Sequence, residues 1–125
     1  MTKTNHHVLA VDDNRMTRLK MARALQGDYE VSQAQGGEEA LALLRSKPFH
    51  LVLLDIEMPD VDGFEVLRQM KDEPTLRDIP VIVVSGMEDT SSFERCLEIG
   101  AVDYIPKPFD LPQLKACVDS HLDTG

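Results

Sequence analysis

Leu51-Val52-Leu53-Leu54-Asp55 joins four consecutive apolar residues to a single acid. A strand with one wet face alternates apolar and polar residues, whereas a strand covered on both faces reads as a short unbroken apolar run. Two further stretches have the same form. Val8-Leu9-Ala10-Val11 runs into Asp12-Asp13, and Val81-Ile82-Val83-Val84 runs into Ser85-Gly86. Weaker strand candidates are Tyr29 to Ala34 and Val102 to Ile105, the second followed by Pro106-Lys107-Pro108.

The intervening segments carry helical spacing. Met16, Leu19, Ala22 and Leu25 form one expected stripe, and Ala40, Leu41, Leu43 and Leu44 a second. Phe64, Leu67 and Met70 form a third, Phe93, Cys96 and Leu97 a fourth, and Leu111, Leu114, Val118 and Leu122 a fifth. Asn14, Asp89 and Asp110 stand at expected N-caps, and Gly27 and Gly100 at expected helix ends. Asp72 to Pro80 reads as a surface loop ahead of the fourth strand. The series is five alternations of β and α. With right-handed crossovers it predicts an α/β fold, an open parallel sheet doubly wound by five helices.

The chain has 125 residues, a length that suits one domain, here residues 1–125. Its 42% hydrophobic and 28% charged shares are those of a folded globule, which argues against disorder. A net charge of −9 opposes both nucleic-acid clamping and docking on anionic lipid. Cys96 and Cys117 form no CxxC pair, indicate neither a disulfide framework nor a zinc site, and read as helix-face packing residues. No signal-peptide stretch or membrane-length apolar run is present, so a cytoplasmic setting is expected. His6-His7 read as a solvated terminus and His50 as a turn residue before a strand.

Sheets of this kind place their ligand crevice beyond the carboxyl ends of the strands. In a flavodoxin-like order 2-1-3-4-5, the tips carrying Asp12-Asp13, Asp55, Ser85-Gly86 and Lys107 meet at one edge. Three carboxylates at close range repel unless a cation neutralises them. An all-oxygen donor set suits Mg²⁺. A lysine opposite the acids supplies a point charge for a tetrahedral anion, and a serine hydroxyl adds a hydrogen bond. Together these groups are the equipment for making and breaking an aspartyl phosphate. Each member alone has a plainer reading: Asp12-Asp13 as helix-capping acids, Ser85 as a strand end, Lys107 as a solvated turn residue. The combination carries the weight.

Asp12-Asp13, Asp55, Ser85-Gly86, Tyr104 and Lys107-Pro108, together with Met58-Pro59 and Asp62-Gly63, resemble a response-regulator receiver domain of two-component signalling, a CheY-like fold. The resemblance extends from residue 8 to 122. It implies Asp55 as phosphoacceptor, with Asp13 and Asp55 as carboxylate ligands of Mg²⁺ and Asp12 binding directly or through water. The backbone carbonyl of Glu57 would complete the protein's share of the metal, and Mn²⁺ would be able to substitute. Lys107 and Ser85 would contact the phosphoryl oxygens, with the Gly86 backbone N–H beside them and a cis Lys107–Pro108 peptide. Ser85 and Tyr104 would act as the switch, shifting the face made by the fourth helix, fifth strand and fifth helix. Glu57 and Met87 would gate the attacking water and lengthen the life of the phosphoaspartate.

The partners implied are a sensor histidine kinase or a histidine phosphotransfer protein, and a downstream effector domain or protein. A phosphorylation-dependent homodimer belongs to the same expectation. The domain is expected to be a phosphoacceptor rather than an enzyme acting on a separate substrate. The alternative is a phosphorelay intermediate or a docking module independent of phosphorylation. The Gly100 to Phe109 stretch with Leu114-Lys115-Ala116-Cys117 resembles receivers placed ahead of nucleotide-cyclase-type outputs. The chain reaches Gly125 just past the fifth helix, so the output is expected either through docking or through a longer regulator. A haloacid-dehalogenase phosphatase would need a second Asp and a Gly that Asp55-Ile56-Glu57-Met58 lacks. A flavin carrier would need a hydroxyl- and Gly-rich first loop, and a Walker A loop is absent. Met58-Pro59 breaks any EF-hand pattern in the acidic stretch after Asp55.

Overall fold

A computed structural model describes residues 6–86 and 90–122. Its elements run β1 (His7–Val11), α1 (Arg15–Leu25), β2 (Glu30–Ala34), α2 (Gly37–Ser46), β3 (Leu51–Leu54) and α3 (Gly63–Asp72). They continue with β4 (Val81–Ser85), α4 (Thr90–Ile99), β5 (Asp103–Pro106) and α5 (Leu111–Leu122). The strands form one parallel sheet in the order β2-β1-β3-β4-β5.

The unbroken apolar runs split by period two into two cores, one on each face of the sheet. Leu9, Val11, Val52, Leu54, Val81 and Val83 face one side, with Leu41, Phe64, Leu67 and Met70 from α2 and α3. Val8, Ala10, Leu51, Leu53, Ile82 and Val84 face the other, with Met21 and Leu25 from α1 and Leu114 and Val118 from α5. Each central strand is therefore dry on both sides.

Helix ends follow side-chain chemistry. The Asn14 side chain accepts from the Thr17 N–H and caps α1. Asp110 does the same for the Gln113 N–H ahead of α5. Gly27 at φ +91° and Gly100 at φ +133° follow α1 and α4 in the left-handed region that glycine enters freely. Asp89 and Met87 lie outside the described residues. Among the described residues, no helix is long and apolar enough to cross a membrane.

Three expectations need correction. On α1 the inner face is Met21, Ala24 and Leu25, whereas Met16 is 67% and Leu19 41% exposed. The polar Arg18 occupies the first inward turn, held there by its bonds to the Asp12 carbonyl and Gln33, which conceals the register from a hydrophobicity reading. On α4, Cys96 is buried, but Phe93 and Leu97 are exposed. His7 is no part of a solvated tail. It opens β1 opposite Glu30, and its Nε2 lies 2.7 Å from the Ser32 hydroxyl.

Candidate phosphoacceptor site

Asp12, Asp55 and Lys107 each stand one step past a strand, and the sheet ladder continues to hold them. The Asp12 N–H donates to the Ala34 carbonyl (3.1 Å), the Asp55 N–H to the Val11 carbonyl (3.0 Å) and the Lys107 N–H to the Ser85 carbonyl (2.9 Å). The backbones under the side chains are thus as fixed as the sheet itself. Ser85 closes β4 and is 0% exposed. The Lys107–Pro108 peptide is cis.

Asp12 is 0% and Asp55 3% exposed, while Asp13 stands at the surface. Asp12, Asp13 and Asp55 each bring a carboxylate oxygen within 4.8 Å of the others. The Lys107 ammonium donates to Asp12 Oδ2 at 2.7 Å and lies 3.5 Å from Asp55 Oδ1. Asp12 Oδ1 accepts from the Asn14 N–H at 2.8 Å, so both oxygens of this buried acid have partners. Among the described residues, Asp55 Oδ1 receives only a long 3.4 Å bond from the Glu57 N–H besides Lys107.

The electrostatics follow from that inequality. Burial first, then the Asp12 charge, push the Asp55 carboxyl up to about 6, and Lys107 and the Glu57 N–H only partly oppose them. Burial alone would lower the Lys107 ammonium, but Asp12 and Asp55 hold it above the ordinary lysine range. Among the described residues the pocket is under-compensated for negative charge and offers only oxygen donors, which is what a hard divalent cation requires. The residues present fit such an ion.

Around this core, Glu57 and Gly86 are exposed at the rim. Tyr104 is half-buried. Burial raises its phenol, and a hydrogen bond with the Ser85 hydroxyl opposes the rise. Its ring meets the edge of Phe93 at 5.0 Å between centroids. The structure therefore links Ser85, Tyr104 and α4 in one line of contact.

Sequence reading missed three supports. Arg18 donates to the Asp12 backbone carbonyl at 2.7 Å. Asp60 accepts from the Gly37 and Glu38 N–H groups at 3.1 and 3.2 Å, which caps α2 from the loop after β3. Gly63 packs against the Asp55 backbone; a Cβ there would lie 2.4 Å from the Asp55 carbonyl oxygen and 2.6 Å from the Ile56 Cα. Both neighbours are backbone, so the chain itself would have to move. Gly63→Ala is expected to cost about 1–3 kcal/mol in urea unfolding and to weaken divalent-cation binding. Wild-type values for both would show that the Gly63 contact is not limiting.

The family model of the response regulator receiver domain matches residues 8–119. A probable cyclic di-GMP phosphodiesterase of Vibrio cholerae is 40% identical over 115 residues, covering 92% of this chain and 26% of that protein. The response regulator MprA of Mycolicibacterium vanbaalenii is 42% identical over 110 residues, covering 87% of this chain and 47% of that protein. The chain thus spans about a quarter to a half of these relatives' length. The crystal structure of the phosphorylated cyanobacterial phytochrome response regulator RcpA superposes with a TM-score of 0.86 at 30% identity, covering 96% of each chain. The strand order, the acidic edge and the family match over residues 8–119 agree: this chain belongs to the response regulator receiver domain family.

Proposed function

We propose that the chain accepts a phosphoryl group on Asp55 from the phosphohistidine of a sensor kinase or histidine phosphotransfer protein, and thereby switches a downstream effector. The observation that carries this reading is the placement of Asp55: buried at a strand tip, 3.5 Å from the Lys107 ammonium and grouped with Asp12 and Asp13. The whole range 1–125 is read as one receiver domain.

In the reaction an Asp55 carboxylate oxygen attacks phosphorus. The P–N bond to the donor imidazole breaks as the P–O bond forms, and the imidazole leaves with the electron pair. With its carboxyl at about 6, Asp55 is mostly ionised at neutral pH and needs no general base. Lys107 turns toward the incoming phosphoryl oxygens, and the Ser85 hydroxyl and Gly86 N–H donate to them. Mg²⁺, or Mn²⁺ in its place, would offset the charge shared by the carboxylates and the phosphoryl group. Asp13, Asp55 and the Glu57 carbonyl would hold that ion. Asp12, already bonded to Asn14 and Lys107, would act through water. The domain would promote its own phosphorylation and dephosphorylation, with Glu57 and Met87 restricting water.

The added phosphoryl group carries close to two negative charges. It competes for the Ser85 hydroxyl, which now bonds Tyr104, so Tyr104 and Phe93 shift with it. Phe93, Leu97 and Val102 stand exposed there, on the α4 and β5 side, and form the surface read by an effector or by a second phosphorylated copy. Met16 and Leu19, exposed on α1 just after Asp13, suit docking of the phosphohistidine partner. The acidic charge of −9 fits a cytoplasmic domain that binds neither nucleic acid nor membrane.

Labelling with acetyl phosphate tests the reading. Wild type should incorporate phosphate only with Mg²⁺ present, and Asp12→Ala or Asp13→Ala should reduce incorporation at least about 100-fold. Wild-type labelling of both variants would overturn the assignment.

A further inference from the structure

Among the described residues a second group has metal-ligating geometry: Asp103, Cys117 and His121. It is separate from the phosphoacceptor site. Asp103 opens β5, whereas Lys107 follows the other end of that strand. Cys117 and His121 are four residues apart on α5 and so share one face of the helix. We propose that these three side chains form a Zn²⁺ site that clamps the start of β5 to the last turns of α5.

Distance supports the assignment. Cys117 Sγ lies 3.3 Å and His121 Nε2 3.1 Å from the same oxygen, Asp103 Oδ2. Zinc bonds of about 2.0–2.3 Å in a tetrahedron place neighbouring ligands about 3.3–3.7 Å apart. Two edges of the coordination polyhedron are therefore almost formed, and the third pair of atoms lies within 4.8 Å. The other carboxylate oxygen, Oδ1, accepts from the Tyr104 N–H at 2.8 Å, which aims Oδ2 at the helix. The Asp103 side chain is 43% and that of His121 26% exposed, so an ion can enter.

Ligand chemistry selects the ion. A thiolate, an imidazole and a carboxylate make a borderline-soft set suited to Zn²⁺, with the fourth position left for water. The oxygen-only pocket at Asp12, Asp13 and Asp55 suits Mg²⁺ instead. One small domain would thus sort two cations by hardness. Without metal, burial and the neighbouring Asp103 push the Cys117 thiol up to about 12, so it is a poor nucleophile and poorly oxidised at neutral pH. Zinc uptake replaces that thiol proton, which is released to solvent.

The test titrates the whole chain with Co²⁺ in saturating Mg²⁺, reading the thiolate-to-cobalt charge-transfer band, and then displaces Co²⁺ with Zn²⁺. The expected result is one Co²⁺ per chain with a thiolate band, lost on adding one equivalent of Zn²⁺. The band should vanish in Cys117→Ser, and Zn²⁺ affinity should fall at least about tenfold in His121→Gln and Asp103→Asn. Asp55→Asn should leave the band intact, and Cys117→Ser should keep Mg²⁺-dependent labelling by acetyl phosphate. Absence of the band in wild type, its persistence in Cys117→Ser or its loss in Asp55→Asn would each overturn the proposal.

Discussion

Asp55→Asn is expected to give a protein that takes up no phosphoryl group yet is more stable than wild type at about pH 7.5 without metal, by about 2–3 kcal/mol. The reason is the carboxyl held at about 6 in the folded chain against 3.8 ordinarily. A raised group of this kind binds its proton more tightly when folded. Its contribution is fully present below about pH 4 and is lost as pH rises through 6, so wild type weakens over that window. The full difference corresponds to about 3 kcal/mol. An asparagine of nearly the same shape removes the buried charge, at the cost of a partner 3.5 Å from Lys107. Urea unfolding should therefore show the two proteins diverging between about pH 4 and 6, with the variant ahead above that. Added Mg²⁺ should stabilise wild type and leave the variant unchanged. Equal stability at every pH would show that Asp55 is not a charged group held at a cost.

Lys107→Ala should act in the opposite direction and more strongly. The ammonium bonds the carboxylate of the fully buried Asp12, and it also faces Asp55. Removing one partner of a buried ion pair leaves the other charge uncompensated, a loss of about 3–5 kcal/mol. Without Lys107 the Asp55 carboxyl rises further, because the two charges that remain near it are both negative. The destabilisation should consequently be largest at neutral pH and shrink as the pH falls and the Asp55 carboxyl takes up its proton. Saturating Mg²⁺ should restore much of it. Any phosphoryl group that still reaches Asp55 should fail to move Tyr104, read from its NMR resonances on phosphorylation. A loss of stability that is the same at pH 4.5 and 7.5 would point instead to lost packing of the lysine stem.

Most of the frame was legible because its signals are local. Leu51 to Leu54 has to be covered on both faces, and the acid that follows has to sit at the strand's carboxyl end. The same reasoning places Asp12, Ser85 and Lys107, and the parallel order brings them to one edge. Strand ends shifted by a residue: Val102 is exposed ahead of β5, and Tyr29 is buried ahead of β2. What was not legible depends on contacts across the chain. The inward turn of α1 carries Arg18, whose polarity hid the face until the Asp12 carbonyl appeared as its partner. Asp60 read as one more acid in a cluster, and its use lies 22 and 23 residues away at the start of α2. Cys117 packs against the core as its spacing implied, but its sulfur also reaches Asp103, 14 residues earlier. The demand on Gly63 arises from the close approach of the Asp55 backbone, a distance that no residue pattern contains.

Everything proposed for this domain turns on Asp55 being the residue phosphorylated. The most direct measurement treats wild type with acetyl phosphate and Mg²⁺, traps the acyl phosphate by borohydride reduction and locates the modified residue by peptide mass spectrometry. Reduction is expected at Asp55 alone, absent when EDTA replaces Mg²⁺ and absent in Asp55→Asn. Trapping at Asp12 or Asp13, or full modification in the absence of divalent cation, would contradict the assignment.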